Sequence, residues 1–135
     1  MALIVDASVA IKWFVEEPGS DTARRLWRDE PELLAPDLIV AEVCNAAWRK
    51  VRLGQSDSGQ AKQIAARLRS GVLDFRPTAP LAPRAVELAL DLDHPVYDCF
   101  YLALAEAEQT ELVTADLRLS GRLRDTSWGT LVRSL

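Results

Sequence analysis

One histidine and two cysteines are all that this 135-residue chain offers among the residues that usually hold zinc. The histidine, His94, precedes Pro95 and has no second histidine to join it. That excludes the usual structural zinc sites and leaves a Ser-His-Asp triad without support. Cys44 and Cys99 lie inside apolar helical patterns, outside any C-x-x-C spacing, and read as small core residues kept reduced in a cytosol. No apolar run approaches the length of a membrane span. The opening stretch, MALIVDASVA, has no basic leader and no cleavage site, so it reads as the start of a cytoplasmic fold and not as a signal peptide. Repeats, low-complexity tracts and linkers are also absent, and the expectation is a single domain over residues 1–135. Lysine is scarce, since 13 of the 16 basic residues are arginine. The net charge of −4 argues against broad, non-specific binding to polyanions.

What is present is an ordinary globular mix, 49% hydrophobic and 27% charged. A chain of this length can bury about two-thirds of the surface its unfolded form exposes. Leu3 to Val5 read as a buried strand, and Ser8 can cap a helix, SVAIKWFVEE, that stops near Pro18-Gly19. Asp21 opens a second helix through Trp27, and LLAP is a short strand. Asp37 caps a long helix to about Leu53, stopped by Gly54. A helix over 58–69, a strand near 72–76, a helix over 80–92 and another from Pro95 follow. The strand ELVTA, a short helix from Asp116 and a last strand in GTLVRSL complete the chain. Strands alternating with helices over short connections predict an α/β sandwich with a mainly parallel sheet. In such sheets ligands bind outside the carboxyl ends of the strands, where the strand order reverses.

Two aspartates sit at those ends. LIVDAS delivers Asp6, and LVTAD repeats the pattern with Asp116. Two further acids interrupt apolar helices: Glu42 in LIVAEVCNAAW and Asp98 in VYDCFYLALA. Three of the four have a plainer reading, since Asp6, Asp98 and Asp116 all stand close enough to a helix start to cap it. Taken together they suggest more. Carboxylates gathered within about 5 Å repel by roughly 3 kcal/mol per pair at an effective dielectric near 20. Either some stay protonated or a cation offsets the repulsion. Oxygen ligands without histidine suit Mg²⁺ or Mn²⁺, ions that activate water and stabilise charge on a phosphodiester. Glu42, Asn45 and Arg49 share one helical stripe.

The ordered set D-A-S (Asp6–Ser8), E-V-C-N (Glu42–Asn45), Y-D-C-F-Y-L-A-L-A (Tyr97–Ala105) and T-A-D (Thr114–Asp116) resembles the PIN domain. More closely it resembles the VapC toxins of bacterial and archaeal toxin–antitoxin pairs. The resemblance spans essentially the whole chain. It implies a three-layer α/β/α sandwich around a five-stranded, mainly parallel sheet. It also implies a Mg²⁺- or Mn²⁺-dependent endoribonuclease that acts on RNA as a homodimer and is held inactive by a small antitoxin. Residue by residue, Asp6, Glu42, Asp98 and Asp116 take the acidic positions of the metal cup, with Ser8, Asn45 and Thr114 as polar neighbours. The chain departs from the family two residues after the last aspartate, where some members carry a further acid and this sequence has Arg118. That substitution argues against a tightly held second metal and places a cation beside the substrate backbone, with Arg122 one turn on. A catalytically silent PIN-like binding module and a structure-specific DNA nuclease are the alternatives, the latter disfavoured because the chain has no insertion for gripping a junction.

A Ser8–Lys12 nucleophilic pair is set aside, because Ser8 has a sufficient task as a cap and no oxyanion-hole sequence accompanies it. Trp13, Phe14, Trp27 and Trp48 read as core before they read as base-stacking platforms. Because Trp13 and Phe14 are adjacent, at least one is expected to be partly exposed, on a surface suited to an antitoxin or a second copy. Tyr97 and Tyr101 either pack in the core or line a substrate groove, and the sequence does not separate the two.

Overall fold

The computed structural model describes residues 2–135. Five strands form one all-parallel sheet in the order β3-β2-β1-β4-β5. In chain order they are β1 (Ala2–Val5), β2 (Glu32–Pro36), β3 (Asp74–Arg76), β4 (Leu112–Thr114) and β5 (Val132–Ser134). β1 is central because Leu3, Ile4 and Val5 are apolar on both faces, as a strand covered by helices on either side must be. Its register runs Ile4 against Leu34 on one flank and Ile4 against Leu112 on the other. The strand order reverses between β1 and β4, so the switch point of the sheet lies between the two strands that end in aspartate.

Among the described residues seven α-helices cover the sheet: α1 (Ala7–Phe14), α2 (Ser20–Asp29), α3 (Leu38–Arg52), α4 (Ser58–Arg69), α5 (Ala82–Leu92), α6 (Val96–Glu108) and α7 (Leu117–Leu123). α1 packs on α2 and α3, and α3 on α4; α5 packs on α6, which lies against β1, β2 and β4. The α/β sandwich with a parallel five-stranded sheet expected from the sequence is therefore what forms.

Local details differ. α1 stops at Phe14 and does not reach Glu17: Val15 turns extended (φ −128°, ψ 155°) three residues ahead of Pro18. The freed Val15 carbonyl accepts from Ser20 Oγ at 2.8 Å, and Gly19 at φ +91° turns the chain into α2. Asp37 does not cap α3 with its side chain; its backbone is already helical, and Oδ1 accepts from Thr78 N at 3.2 Å across to the segment after β3. Trp13 and Phe14 are both buried, contrary to expectation, because α2 folds across them. Trp13 Nε1 donates to the Ala23 carbonyl at 2.8 Å, and its ring lies 5.4 Å from that of Trp27. Trp48 is instead 53% exposed beneath the Arg52 guanidinium. Both cysteines are free, Cys99 buried and Cys44 half-buried. Burial, and then the nearby Asp98 charge, push the Cys99 thiol up to about 11, which makes it a packing residue and not a nucleophile.

Candidate active site

β1 and β4 end side by side, and each passes directly into a helix whose first turn needs acceptors for unpaired N–H groups. Asp6 caps α1, its Oδ1 accepting from Ser8 N at 3.0 Å and from Val9 N at 3.4 Å. Asp116 caps α7 in the same way, accepting from Arg118 N at 2.9 Å and Leu119 N at 3.4 Å. The capping reading is thus correct for both residues, and it leaves each with one oxygen not used as a cap.

That second oxygen separates them. Asp6 Oδ2 accepts from Thr114 Oγ1 at 2.5 Å, and Ser8 Oγ also donates to Oδ1. Ser8 Oγ in turn accepts from Ala115 N at 2.9 Å, while Thr114 Oγ1 accepts from Asp116 N at 3.0 Å. The two hydroxyls stitch the end of β4 to the end of β1. Asp6 is only 6% exposed and meets no lysine or arginine among the described residues. Burial above all, with the Asp98 charge adding, pushes its carboxyl from the ordinary 3.8 up to about 6, against the lowering effect of its hydroxyl and backbone donors.

α3 and α6 bring in the other two acids. Glu42 Oε1 accepts from the Tyr101 hydroxyl at 2.5 Å. Burial, followed by the charges of Asp6 and Asp98, raises Glu42, while the Tyr101 bond lowers it. Tyr101 is 1% exposed and its hydroxyl is pushed far up by burial and by Glu42, so it acts as a permanent donor. Asp98 Oδ2 lies 2.6 Å from His94 Nε2. Tyr97, one turn before Tyr101, is 61% exposed. The two tyrosines left undivided by the sequence are thus one buried positioning group and one surface ring.

Asp98 and Asp116 both face an open groove of about 510 Å³, walled by His94, Pro95, Leu117, Arg118 and Arg122. Arg118 is almost fully exposed there, 3.9 Å from Asp116. Arg122 is less free, since Nη2 donates to the Leu92 carbonyl at 3.2 Å and also to that of Asp93, closing the end of α5. Asn45 is exposed one turn from Glu42 and makes no side-chain hydrogen bond among the described residues.

The donor set fits a hard divalent ion by its chemistry: oxygen donors only, an Asp98 charge that raises both Asp6 and Glu42, and no ion pair to Asp6 or Glu42 among the described residues. As the side chains stand, no three acidic, histidine or cysteine groups among the described residues converge closely enough to hold an ion. Each of three carboxylates is engaged by a protein group: Asp6 by the Ser8 and Thr114 hydroxyls, Glu42 by Tyr101 and Asp98 by His94. His94 and Tyr101 are the site residues sequence reasoning did not assign. The only signals for them were a spacing of four residues from His94 to Asp98 and of three from Asp98 to Tyr101.

Aspartates at the carboxyl ends of two adjacent parallel strands, joined by acids from two helices, define an acid-centred site at the sheet's switch point. The chain belongs to the PIN-domain family, which it matches over residues 3–122. It is 34% identical over 122 residues to ribonuclease VapC3 of Pyrobaculum aerophilum, covering 89% of this chain and 93% of the relative. It is 36% identical over 121 residues to ribonuclease VapC9 of Mycobacterium tuberculosis, covering 87% and 88%. Among solved structures it resembles PAE2754 of Pyrobaculum aerophilum, with a TM-score of 0.71 at 25% identity over 90% of this chain and 87% of that one. A toxin–antitoxin complex from Klebsiella pneumoniae shares the fold, with a TM-score of 0.68 at 18% identity over 96% and 94%.

Proposed function

We propose that this chain is an endoribonuclease that depends on Mg²⁺ or Mn²⁺ and serves as the toxin of a toxin–antitoxin pair in the cytoplasm. The observation that carries this reading is the grouping of Asp6, Glu42 and Asp98: the Asp98 charge raises Asp6, the Asp6 and Asp98 charges raise Glu42, and no lysine or arginine pairs with any of the three among the described residues. The relatives named ribonucleases support RNA as the substrate.

Asp6, Glu42 and Asp98 are the ligands in this reading, and Asp116 orients a water or a weaker second ion. A divalent ion held there supplies hydroxide near neutral pH and stabilises charge on the phosphodiester. The protein's part is positioning. Ser8 and Thr114 fix Asp6, so a ligand lies at the joined ends of β1 and β4. Tyr101 fixes Glu42 from within the core. Arg118, exposed beside Asp116, meets the RNA backbone as it enters the groove. Arg122 shapes the same wall while bound to the end of α5.

A small antitoxin is the proposed partner. An apolar groove of about 330 Å³ between α3 and α4, lined by Cys44, Trp48, Val51, Ala61 and Ala65, supports a protein contact. The proposed assembly is a homodimer, which light scattering measures directly.

The test is hydrolysis of RNA with Mg²⁺ or Mn²⁺, controlled with EDTA. Activity that survives both chelation and Asp6→Asn overturns the mechanism. A second reading, a catalytically silent binding module, draws on the engagement of all three carboxylates by protein donors. Titration of thermal stability with Mn²⁺ separates the two, because an ion that binds only the folded chain raises its melting temperature by mass action.

A further inference from the structure

We propose that His94 is a positioning residue for Asp98: its Nε2–H fixes one carboxylate oxygen so that the other is presented to the metal. The inference rests on the nuclease reading above.

The backbone around His94 is held from several sides. α5 ends at Leu92, and Asp93 takes a left-handed conformation at φ 48°. His94 N then donates to the Ala89 carbonyl at 3.1 Å, and Arg122 grips the two carbonyls just before it. Pro95 fixes the entry into α6. The imidazole is therefore delivered to one place, with 10% of its side chain exposed.

Its hydrogen bonding is lopsided. Nε2 lies 2.6 Å from Asp98 Oδ2, and since an ionised carboxylate only accepts, Nε2 is the donor. Nδ1 is buried and has no hydrogen-bond partner among the described residues. An apolar side chain would fill this space without burying an unpaired nitrogen, so packing alone does not account for a histidine. What the histidine adds is one donor, aimed at Asp98. In return Asp98 has no other side-chain hydrogen bond among the described residues, although it stands in the first turn of α6. Free of a cap or an ion pair, its carboxylate takes its orientation from His94. Oδ1 has no hydrogen-bond partner among the described residues, and Asp98 lines the groove that Asp116 shares. Groups that orient a ligand in this way typically change metal affinity when they are removed.

The experiment compares the parent with His94→Gln, whose amide can place a donor near Nε2, and with His94→Met, which keeps bulk and loses the donor. Mn²⁺ is titrated against melting temperature, and RNA cleavage is measured in parallel. For His94→Met the Mn²⁺ midpoint rises by about 10–100-fold, while for His94→Gln it stays within about threefold of the parent. At a fixed low Mn²⁺ concentration kcat falls in His94→Met and KM for RNA stays put. An unchanged Mn²⁺ midpoint in His94→Met, with or without a loss of stability in EDTA, overturns the inference and leaves the nuclease reading standing. A parent with no Mn²⁺ response overturns both. Should His94→Met fail to fold, His94→Asn takes its place: it is polar but too short to reach Oδ2, and a parental midpoint there refutes the proposal equally.

Discussion

Replacing Asp6 with asparagine in metal-free protein should stabilise the fold, and should do so increasingly as pH rises. Asn caps a helix about as well as Asp, so the bonds from Ser8 N and Val9 N survive, and the Thr114 hydroxyl can turn to accept from the amide. What disappears is the ionisation. With the Asp6 carboxyl raised from 3.8 to about 6, ionising it costs about 3 kcal/mol more in the folded chain than in the unfolded one. The folded chain holds this proton more tightly. The associated stability is therefore complete below 3.8 and is lost as pH climbs through about 6. By about pH 4.5 the loss amounts to about 1 kcal/mol, and by about pH 8 it levels off near 3 kcal/mol. Groups common to parent and variant cancel in the comparison, so Asp6→Asn should gain on the parent by about 2 kcal/mol between those conditions. Relief of Glu42, which the Asp6 charge also raises, widens the gap. Urea unfolding in EDTA at both pH values reads it as a difference of about 1 M in midpoint, at an m-value near 2 kcal/mol/M. A gap that does not change with pH, or a variant weaker than its parent at about pH 8, refutes the account of Asp6 as a buried and uncompensated charge.

Tyr101→Phe leaves Glu42 without its buried donor and should cost about 1–3 kcal/mol in urea melts near neutral pH. Trp13→Ala removes a ring that is 3% exposed and bonded to the Ala23 carbonyl, for a loss of about 3–5 kcal/mol in the same assay. Gly129→Ala would place a methyl 2.4 Å from the Arg124 carbonyl oxygen, so the turn before β5 must shift, and stability in urea melts should fall by about 1–3 kcal/mol. In the native protein a thiol reagent should label half-buried Cys44 and spare Cys99, and labelling of Cys99 without unfolding would contradict its burial.

The scaffold was legible because its signals are local. A run of branched apolar residues closed by aspartate marks the ends of β1 and β4, and the spacing of apolar residues marks α3 and α6. The candidate site was legible as a proposal of four acids, without the groups that hold them. Tyr101 meets Glu42 across 59 positions, a pairing that no periodicity encodes. His94 reaches Asp98 at a helical spacing, but Pro95 sits between them outside the regular helix, so the spacing alone does not announce a contact. For Asp37 the sequence carried a sound capping signal that lost to a longer-range acceptor role toward Thr78. The burial of both Trp13 and Phe14 depends on where α2 lands, which is set by Gly19 and Pro18 and not by the aromatic pair itself.

The strand order has a consequence for when the site comes into being. β1 is made first and lies at the centre, yet the neighbour that completes its aspartate, β4, is made more than a hundred residues later. Closing so long a loop is slow compared with forming the helices along the way. A chain still emerging from synthesis therefore carries Asp6 without Thr114, and acids on α3 and α6 without a finished strand end to gather around. The proposed site is complete only once the last third of the chain has arrived. A nuclease built this way does not meet the RNA that encodes it as a working enzyme while it is only half made.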